Sequence, residues 1–355
     1  MSLDERFQLV TRDTVEVVTP GELRAALEAG RPRGYWGFEC SGFMHIGMGL
    51  ITGRKIIDAV RAGVDFTILL ADWHSWINNK MGGDMEKIRL AGEYFIHGFT
   101  AIGVPRDKVR YVWASDLVED PGYWELVIRI GKEVSLNRAI RALPIMGRSD
   151  KEEVREVAWL IYPLMQVADI FKLGLDMAFG GIDQRKAHML ARDVSKKVGA
   201  RPPICIHTPL LPSLFQPVPA SREEKMFTKM SKSRPETSIF IHDSEEEVKK
   251  KVLKGYCPPN DVETNPIFYL VKYIIFPWLR DRGGTLTVKL RGGGGAEFAT
   301  AEEVEKLYLE GKIHPLDLKL AVADALNEIL EPVRKYFDAH SDVLEEMRRA
   351  VGGEA

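Results

Sequence analysis

The sequence predicts a doubly wound α/β fold, a parallel sheet covered by helices, followed by a mainly helical C-terminal region. Three observations carry this expectation. Between residues 34 and 207, short apolar runs alternate with longer amphipathic stretches, the order that builds strand–helix–strand units. Val64 to Ala71 reads as one dominantly apolar run, typical of a parallel strand buried on both faces. The polar, glycine-containing motifs follow the predicted strands, and ligands of such sheets sit beyond the carboxyl ends of the strands.

Residues 1–33 read as a helical lead-in, with Thr19-Pro20-Gly21-Glu22 as a helix start and Gly30 and Pro32 closing the segment. Gly34 to Glu39 is a short strand, followed by the turn Cys40-Ser41-Gly42. Further strands are predicted at 64–71, 108–114, 177–181 and 203–207. Helices are predicted over 47–62, 84–101, 121–143, 150–171 and 184–198. Beyond the last strand, 242–256, 265–279 and 314–337 read as amphipathic helices. The run Arg291-Gly292-Gly293-Gly294-Gly295 lacks the Lys-Ser/Thr of a Walker loop and joins no strand to a helix, so it reads as a turn. The domains implied are a lead-in over 1–33, a sheet domain over 34–240 with a helical insertion at about 115–172, and a helical domain over 241–355.

The 355 residues suffice for a well-buried core and two domains. A composition of 45% hydrophobic and 28% charged residues is that of an ordinary globular protein. A net charge of −2 argues against a general nucleic-acid coat, though not against a local basic patch. Cys40, Cys205 and Cys257 have neither metal-ligand spacing nor a disulfide framework, which suits a reducing cytoplasm. The N-terminus has no signal-peptide pattern, and the apolar stretch Ile267 to Leu279 is too short for a bilayer.

Two motifs carry chemistry. Glu224 to Arg234 contains Lys229-Met230-Ser231-Lys232-Ser233, whose cations and hydroxyls fit a loop folded over a polyphosphate. Met44-His45-Ile46-Gly47-Met48-Gly49 lies at the junction of the first predicted strand and its helix, where a helix N-terminus favours an anion and glycine permits close approach. Alone, the first is a solvated basic loop and the second holds a surface histidine.

Together they resemble the two nucleotide signatures of class I aminoacyl-tRNA synthetases. The resemblance implies ATP as substrate, with Mg²⁺ carried on it and no tightly bound protein metal. It implies His45, Lys229 and Lys232 as catalytic residues that stabilise the α-phosphorus while an amino-acid carboxylate displaces pyrophosphate. Ser41, Gly47, Gly181, Asp183, Met230, Ser231 and Ser233 would complete the ATP contacts. Where the family signature usually ends in a second histidine, this sequence has Met48. Gly180-Gly181-Ile182-Asp183-Gln184 resembles the family's ribose site, with Asp183 accepting from a hydroxyl; as plain sequence it is an ordinary helix N-cap.

Tyr162, Gln166 and Asp169 fall at i, i+4 and i+7 on an otherwise apolar helix. Such a stripe is costly if buried unpaired, so it faces either water or a polar ligand. With Tyr35-Trp36-Gly37-Phe38-Glu39, these residues resemble the tyrosyl-tRNA synthetases of the archaeal and eukaryotic type, along nearly the whole chain. Leu70-Ala71-Asp72-Trp73-His74 and Gly181 to Arg192 fit the same pattern. Tyr35 and Asp169 match the residues that hold the substrate phenol. Tyr162, Gln166 and Gln184 match those around its α-amino group, with Glu39 close by. A phenol can donate to Asp169 and accept from Tyr35, whereas phenylalanine leaves both unmet at about 1–3 kcal/mol each. A tryptophanyl enzyme is the near alternative, but indole has no acceptor for Tyr35.

Lys132, Arg138, Arg141 and Arg148 make the 121–150 segment locally basic, either a solvated face or a contact for the tRNA acceptor arm. In the family this region also contributes to a homodimer interface. Ile313-His314-Pro315-Leu316-Asp317-Leu318-Lys319 matches the anticodon-reading segment, where His314 and Asp317 would meet the first anticodon base. As plain sequence it is a helix start. The expected partners are therefore L-tyrosine, ATP and tRNA(Tyr), with a second copy of the chain and no membrane, in the cytoplasm. The alternative from another class is a catalytically silent RNA-binding paralogue, against which His45, Lys229 and Lys232 argue.

Overall fold

The computed structural model describes residues 1–147, 153–220, 228–230, 235–291 and 293–352. The chain divides into two compact units. The first comprises Met1–Gly42, Arg54–Pro209 and the stretch from Leu344; the second comprises Phe43–Gly53 and Leu210–Val343.

Among the described residues, the first unit is built on a six-stranded sheet. Its strands are Glu16–Val18 (β1), Arg33–Phe38 (β2), Asp65–Leu70 (β3), Val109–Trp113 (β4), Met177–Gly181 (β5) and Ile204–Thr208 (β6). The order is β1-β6-β5-β2-β3-β4, with β1 antiparallel to β6 and every other pair parallel. The chain leaves β2 for β3 on one side and returns later to place β5 on the other. The carboxyl ends of β2 and β5 therefore flank the switch point of a doubly wound sheet, where such folds bind ligands. β5 and β2 pair through Met177 with Gly34 and Ala178 with Tyr35, which sets Tyr35 at that junction.

Helices cover the sheet where amphipathic stretches predicted them, at Met85–Ile102, Pro121–Glu133, Val157–Lys172 and Arg185–Val194. One apolar cluster joins Tyr35, Leu69, Tyr123, Val127, Ile130, Met165, Ala168 and Leu190, all buried. Burying each large side chain stabilises the fold by about 1.5–3 kcal/mol. The helix expected over 121–143 is broken: it ends at Glu133, and Ser135 starts a new one at Leu136–Ile140 by accepting from the Arg138 N–H at 3.3 Å. Of the helix expected over 150–171, residues 150–152 lie outside the described residues; 153–156 are not helical, and the helix runs over Val157–Lys172 after the extended Glu156. The lead-in is not wholly helical; Leu3–Thr11 and Pro20–Ala29 flank strand β1. Two short helices, Asp72–Ile77 and Ala114–Val118, were not predicted.

In the second unit, Phe43–Gly53 forms an antiparallel bridge between His45 and Phe240. The Ile46 N–H donates to the Ile239 carbonyl at 2.9 Å and the Ile241 N–H to that of Met44 at 3.0 Å. Helices follow at Glu245–Lys254, Pro266–Leu270, Phe276–Arg282, Ala301–Leu309 and Pro315–Ala339, the second and third joined by a wide π-helical turn at Val271–Ile275. Leu286–Lys289 (β7) and Gly295–Phe298 (β8) form an unpredicted antiparallel hairpin; in the connection Gly293 donates to the Leu290 carbonyl at 3.0 Å and Leu290 to that of Gly294 at 3.2 Å, while Gly292 lies outside the described residues.

Candidate active site

The residues matched to tyrosine recognition all lie in the first unit. Asp169 sits on the Val157–Lys172 helix with 1% of its surface exposed, and Tyr35 on β2 is equally buried. Tyr162 is buried too and Gln166 half-buried, so the stripe is largely turned away from water. One Asp169 oxygen, Oδ1, accepts from the Tyr123 hydroxyl at 2.8 Å. The other, Oδ2, lies 3.1 Å from His74 Nε2 but has no aligned hydrogen bond. Both His74 nitrogens and Gln166 Oε1 are buried in the same condition. Burial and the Asp169 charge together hold the Tyr35 phenol well above its ordinary pKa, so it stays protonated and can donate.

A second group of polar contacts lies around Glu39. Its Oε1 accepts from the Tyr162 hydroxyl at 2.9 Å and from the Asn78 amide at 2.7 Å, while Lys80 lies 3.5 Å from Oε2. Gln166 Nε2 donates to Gln184 Oε1 at 3.1 Å, and Gln184 Nε2 donates to the Ile145 carbonyl at 3.1 Å. Burial, reinforced by the neighbouring Glu39 carboxylate, pushes the Tyr162 hydroxyl far above its usual pKa.

Gly180 and Gly181 end β5, and Ile182–Gln184 forms a tight 3-10 turn that carries the buried Asp183. The N-cap position of the following helix is Gln184, one residue beyond Asp183. A Cβ on Gly180 would lie 2.9 Å from Gln184 Cβ and 3.0 Å from the His188 ring. That ring is fixed from behind: His188 Nδ1 is 3.0 Å from His207 Nε2, and His207 Nδ1 is 2.7 Å from Glu16, which Arg185 grips at 2.8 Å. Burial holds the His188 imidazole well below its ordinary pKa, hence neutral. Ser41 is half-buried at the end of β2, its hydroxyl 3.4 Å from the Glu39 carbonyl.

His45, Gly47, Lys229 and Met230 lie in the second unit. His45 folds back on its own turn, with Nδ1 accepting from the Met48 N–H at 3.3 Å. One N–H of this helix start is therefore capped, not bare as the sequence suggested. Thr228, Lys229 and Met230 pair with residues 211–213: Ser213 donates to the Thr228 carbonyl at 2.8 Å, and Met230 donates to that of Leu211 at 2.7 Å. Leu211 Cβ in turn lies 3.3 Å from where a Gly47 Cβ would stand. Two motifs far apart in sequence thus meet at one leucine, and a side chain at 47 would crowd both it and the His45 ring. Ser231, Lys232 and Ser233 lie outside the described residues.

Among the basic candidates, Arg138 is paired with Asp193 at 3.0 Å, whereas Lys132 and Arg141 are exposed; Arg148 lies outside the described residues. His314 is exposed, and its Nδ1 accepts from the Leu316 N–H at 3.1 Å as the N-cap of Pro315–Ala339. Asp317 is buried and accepts from the Arg291 N–H at 3.2 Å, with the guanidinium 3.3 Å away. Among the described residues, no group of three or more His, Cys, Asp and Glu side chains is placed to hold a metal ion, and no helix is long and apolar enough to cross a membrane.

The family described as class I tRNA synthetases for tryptophan and tyrosine matches residues 27–331. The chain belongs to this family. Within the class I synthetases it is 50% identical to the tyrosine–tRNA ligase of Sulfurisphaera tokodaii, across 99% of this chain and 98% of that one. The crystal structure of the Pyrococcus horikoshii tyrosyl-tRNA synthetase complexed with L-tyrosine superposes with a TM-score of 0.91 at 42% identity, covering 98% of this chain and 100% of the other. The tryptophanyl-tRNA synthetase of Aeropyrum pernix has a TM-score of 0.69 at 18% identity over 92% of this chain and 84% of that one, a likeness of fold alone.

His74, Asn78 and Tyr123 join the candidate site although sequence reasoning gave them no role. His74 stood in a stretch already matched to the family, so its signal was present. Tyr123, at the start of its helix and 46 residues from Asp169, carried none.

Proposed function

We propose that this chain is a tyrosine–tRNA ligase. It joins L-tyrosine to ATP as tyrosyl-adenylate, releasing pyrophosphate, and then passes the tyrosyl group to the 3′ end of tRNA(Tyr). The observation that carries this reading is the buried Asp169 carboxylate, whose Oδ2 has no aligned hydrogen bond and whose charge acts on the buried Tyr35 phenol. A substrate phenol donates to Oδ2 and accepts from Tyr35. Gln166 Oε1, also without a partner, accepts from the α-ammonium group. Tyr162 donates to Glu39, leaving its oxygen lone pairs to accept from the same ammonium, and Gln184 orients Gln166. Indole offers Tyr35 nothing to bond, which disfavours tryptophan.

With the amino acid held, its carboxylate attacks the α-phosphorus and pyrophosphate leaves. The barrier falls chiefly through fixed positive charge on the phosphates. Lys229 and Lys232 supply it, His45 donates from its Nε2–H, and Ser231 and Ser233 add hydroxyl donors. Met230 already gives its N–H to Leu211 and so contributes through its other backbone atoms. Asp183 accepts from a ribose hydroxyl, while Gly47, Gly181 and Ser41 allow close approach of the nucleotide. Mg²⁺ enters as part of the ATP substrate.

Residues 34–240 make up the catalytic domain under this reading, and 241–355 the anticodon domain. His314 and Asp317 read the first anticodon base, and Lys132 and Arg141 meet RNA phosphates. A homodimer is supported by Ile128, Leu136 and Val157, apolar residues of the helical insertion that are 64%, 61% and 75% exposed. ATP–pyrophosphate exchange tests the proposal: tyrosine should drive it and tryptophan should not. Exchange with tryptophan only, or with neither, would refute it.

A further inference from the structure

The short helix Asp72–Ile77 and the Asn78 that follows it touch both groups of polar contacts around the pocket. His74 and Asn78 are four residues apart and share a helical face. His74 reaches Asp169, while Asn78 donates to Glu39 at 2.7 Å and to the Met146 carbonyl at 3.0 Å. His74 also meets the Tyr162 ring edge-on, with centroids 5.0 Å apart, and Tyr162 in turn holds Glu39. The segment is anchored at its start. Asp72 Oδ1 accepts from the N–H groups of Trp73 and Ser115, both at 2.9 Å, and Ser75 accepts from the Cys40 N–H at 2.8 Å.

We propose that His74 is a positioning residue for amino-acid recognition, its Nε2 set 3.1 Å from Asp169 Oδ2 and its ring against Tyr162, so that the phenol-reading and amine-reading ends keep one spacing. The proposal rests on the reading of this pocket as a tyrosine site. A carboxylate oxygen has room for two donors, so Asp169 Oδ2 can take both the imidazole N–H and a phenol. With Tyr123 on Oδ1, the carboxylate is then held from two sides and its free lone pair faces the substrate. Burial opposes charging the imidazole, but the adjacent Asp169 outweighs it and holds the His74 pKa above its ordinary value, which favours the donating form.

Three full-length variants separate this role from simple packing. In His74→Gln the amide nitrogen falls near the Nε2 level, so a donor to Asp169 survives. In His74→Asn it stops near the Nδ1 level, and His74→Phe keeps a ring against Tyr162 without any donor. Tyrosine-dependent and ATP-dependent pyrophosphate exchange gives KM for both substrates, and phenylalanine gives the discrimination ratio. The expected result is a tyrosine KM within about threefold of wild type for Gln, and a rise of at least about tenfold for Asn and Phe, with the ATP KM unchanged in all three. The tyrosine-over-phenylalanine ratio should fall in step with that rise. Equal behaviour of Gln and Asn, or a parallel loss of tyrosine and ATP affinity, would reduce His74 to packing and overturn the proposal. If the Phe variant does not fold, the Gln–Asn pair still decides. Absence of tyrosine-dependent exchange in the wild type would instead refute the proposed function, a distinct outcome.

Discussion

The residues around Asp169 and the start of the Pro315–Ala339 helix were both matched to substrate recognition, yet their polar atoms are in opposite conditions. Around Asp169, Gln166 Oε1 and His74 Nδ1 are buried without partners, and Asp169 Oδ2 has only the His74 ring beside it, at 3.1 Å and unaligned. At the helix start, His314 caps the Leu316 N–H and Asp317 is bonded to Arg291. A buried polar atom left unmet costs about 1–3 kcal/mol, so several converging on one spot point to a partner that arrives later. Satisfied groups carry no such message. The pocket therefore argues for a ligand from its own geometry, while the anticodon segment depends on likeness to the family.

The largest expected effect separates chemistry from this recognition. Lys232→Ala should slow adenylate formation by about 10²–10³-fold, the size of losing one preorganised charge contact, with tyrosine affinity nearly unchanged. Pre-steady-state adenylation rates decide it, and an unaltered rate would remove the lysine loop from the reaction. His314→Ala should lower tRNA charging by about tenfold, a loss of one stacking contact, and leave pyrophosphate exchange intact. Equal damage to both steps would contradict a separate anticodon-reading segment.

A pH experiment probes the pocket from the stability side. The His74 pKa is raised above 6.5 in the folded chain because Asp169 outweighs the burial that opposes charging. The pair's contribution is thus fully present below pH 6.5 and is lost as pH rises through the folded pKa. The Tm difference between wild type and His74→Phe should be larger at pH 6 than at pH 9; a difference that grows with pH would reverse the assigned sign. The smallest effect belongs to the other region. Arg291→Ala breaks a half-exposed ion pair and should change stability by no more than about 1 kcal/mol in denaturant titration. A larger loss would mean that Asp317 depends on Arg291 as strongly as Asp169 depends on its neighbours.

The parallel sheet was legible because each strand is an apolar run long enough to register against amphipathic neighbours. β1 was not, since Glu16-Val17-Val18 has too few residues to show a period and is held by pairing with β6. The Ala301–Leu309 helix was missed despite a readable capping box, in which Thr300 and Glu303 bond each other's N–H groups. The alternation Leu286-Thr287-Val288-Lys289 likewise announced a strand beside the glycine run. In the site, Tyr162, Gln166 and Asp169 stand out as polar residues on an apolar helix, whereas Tyr35 and the choice between water and ligand came from the likeness to the family. Tyr123 could not, because its pairing with Asp169 joins two helices and leaves no local pattern. The meeting of Gly47 and Met230 at Leu211 is likewise a product of the fold, not of spacing.

The most direct test of the central claim, that a buried carboxylate reads the substrate hydroxyl, is the ratio of kcat/KM for tyrosine over phenylalanine in wild type and Asp169→Ala. Removing the carboxylate should lower that ratio at least about tenfold, mainly through weaker use of tyrosine. A ratio that survives the substitution unchanged would contradict the account.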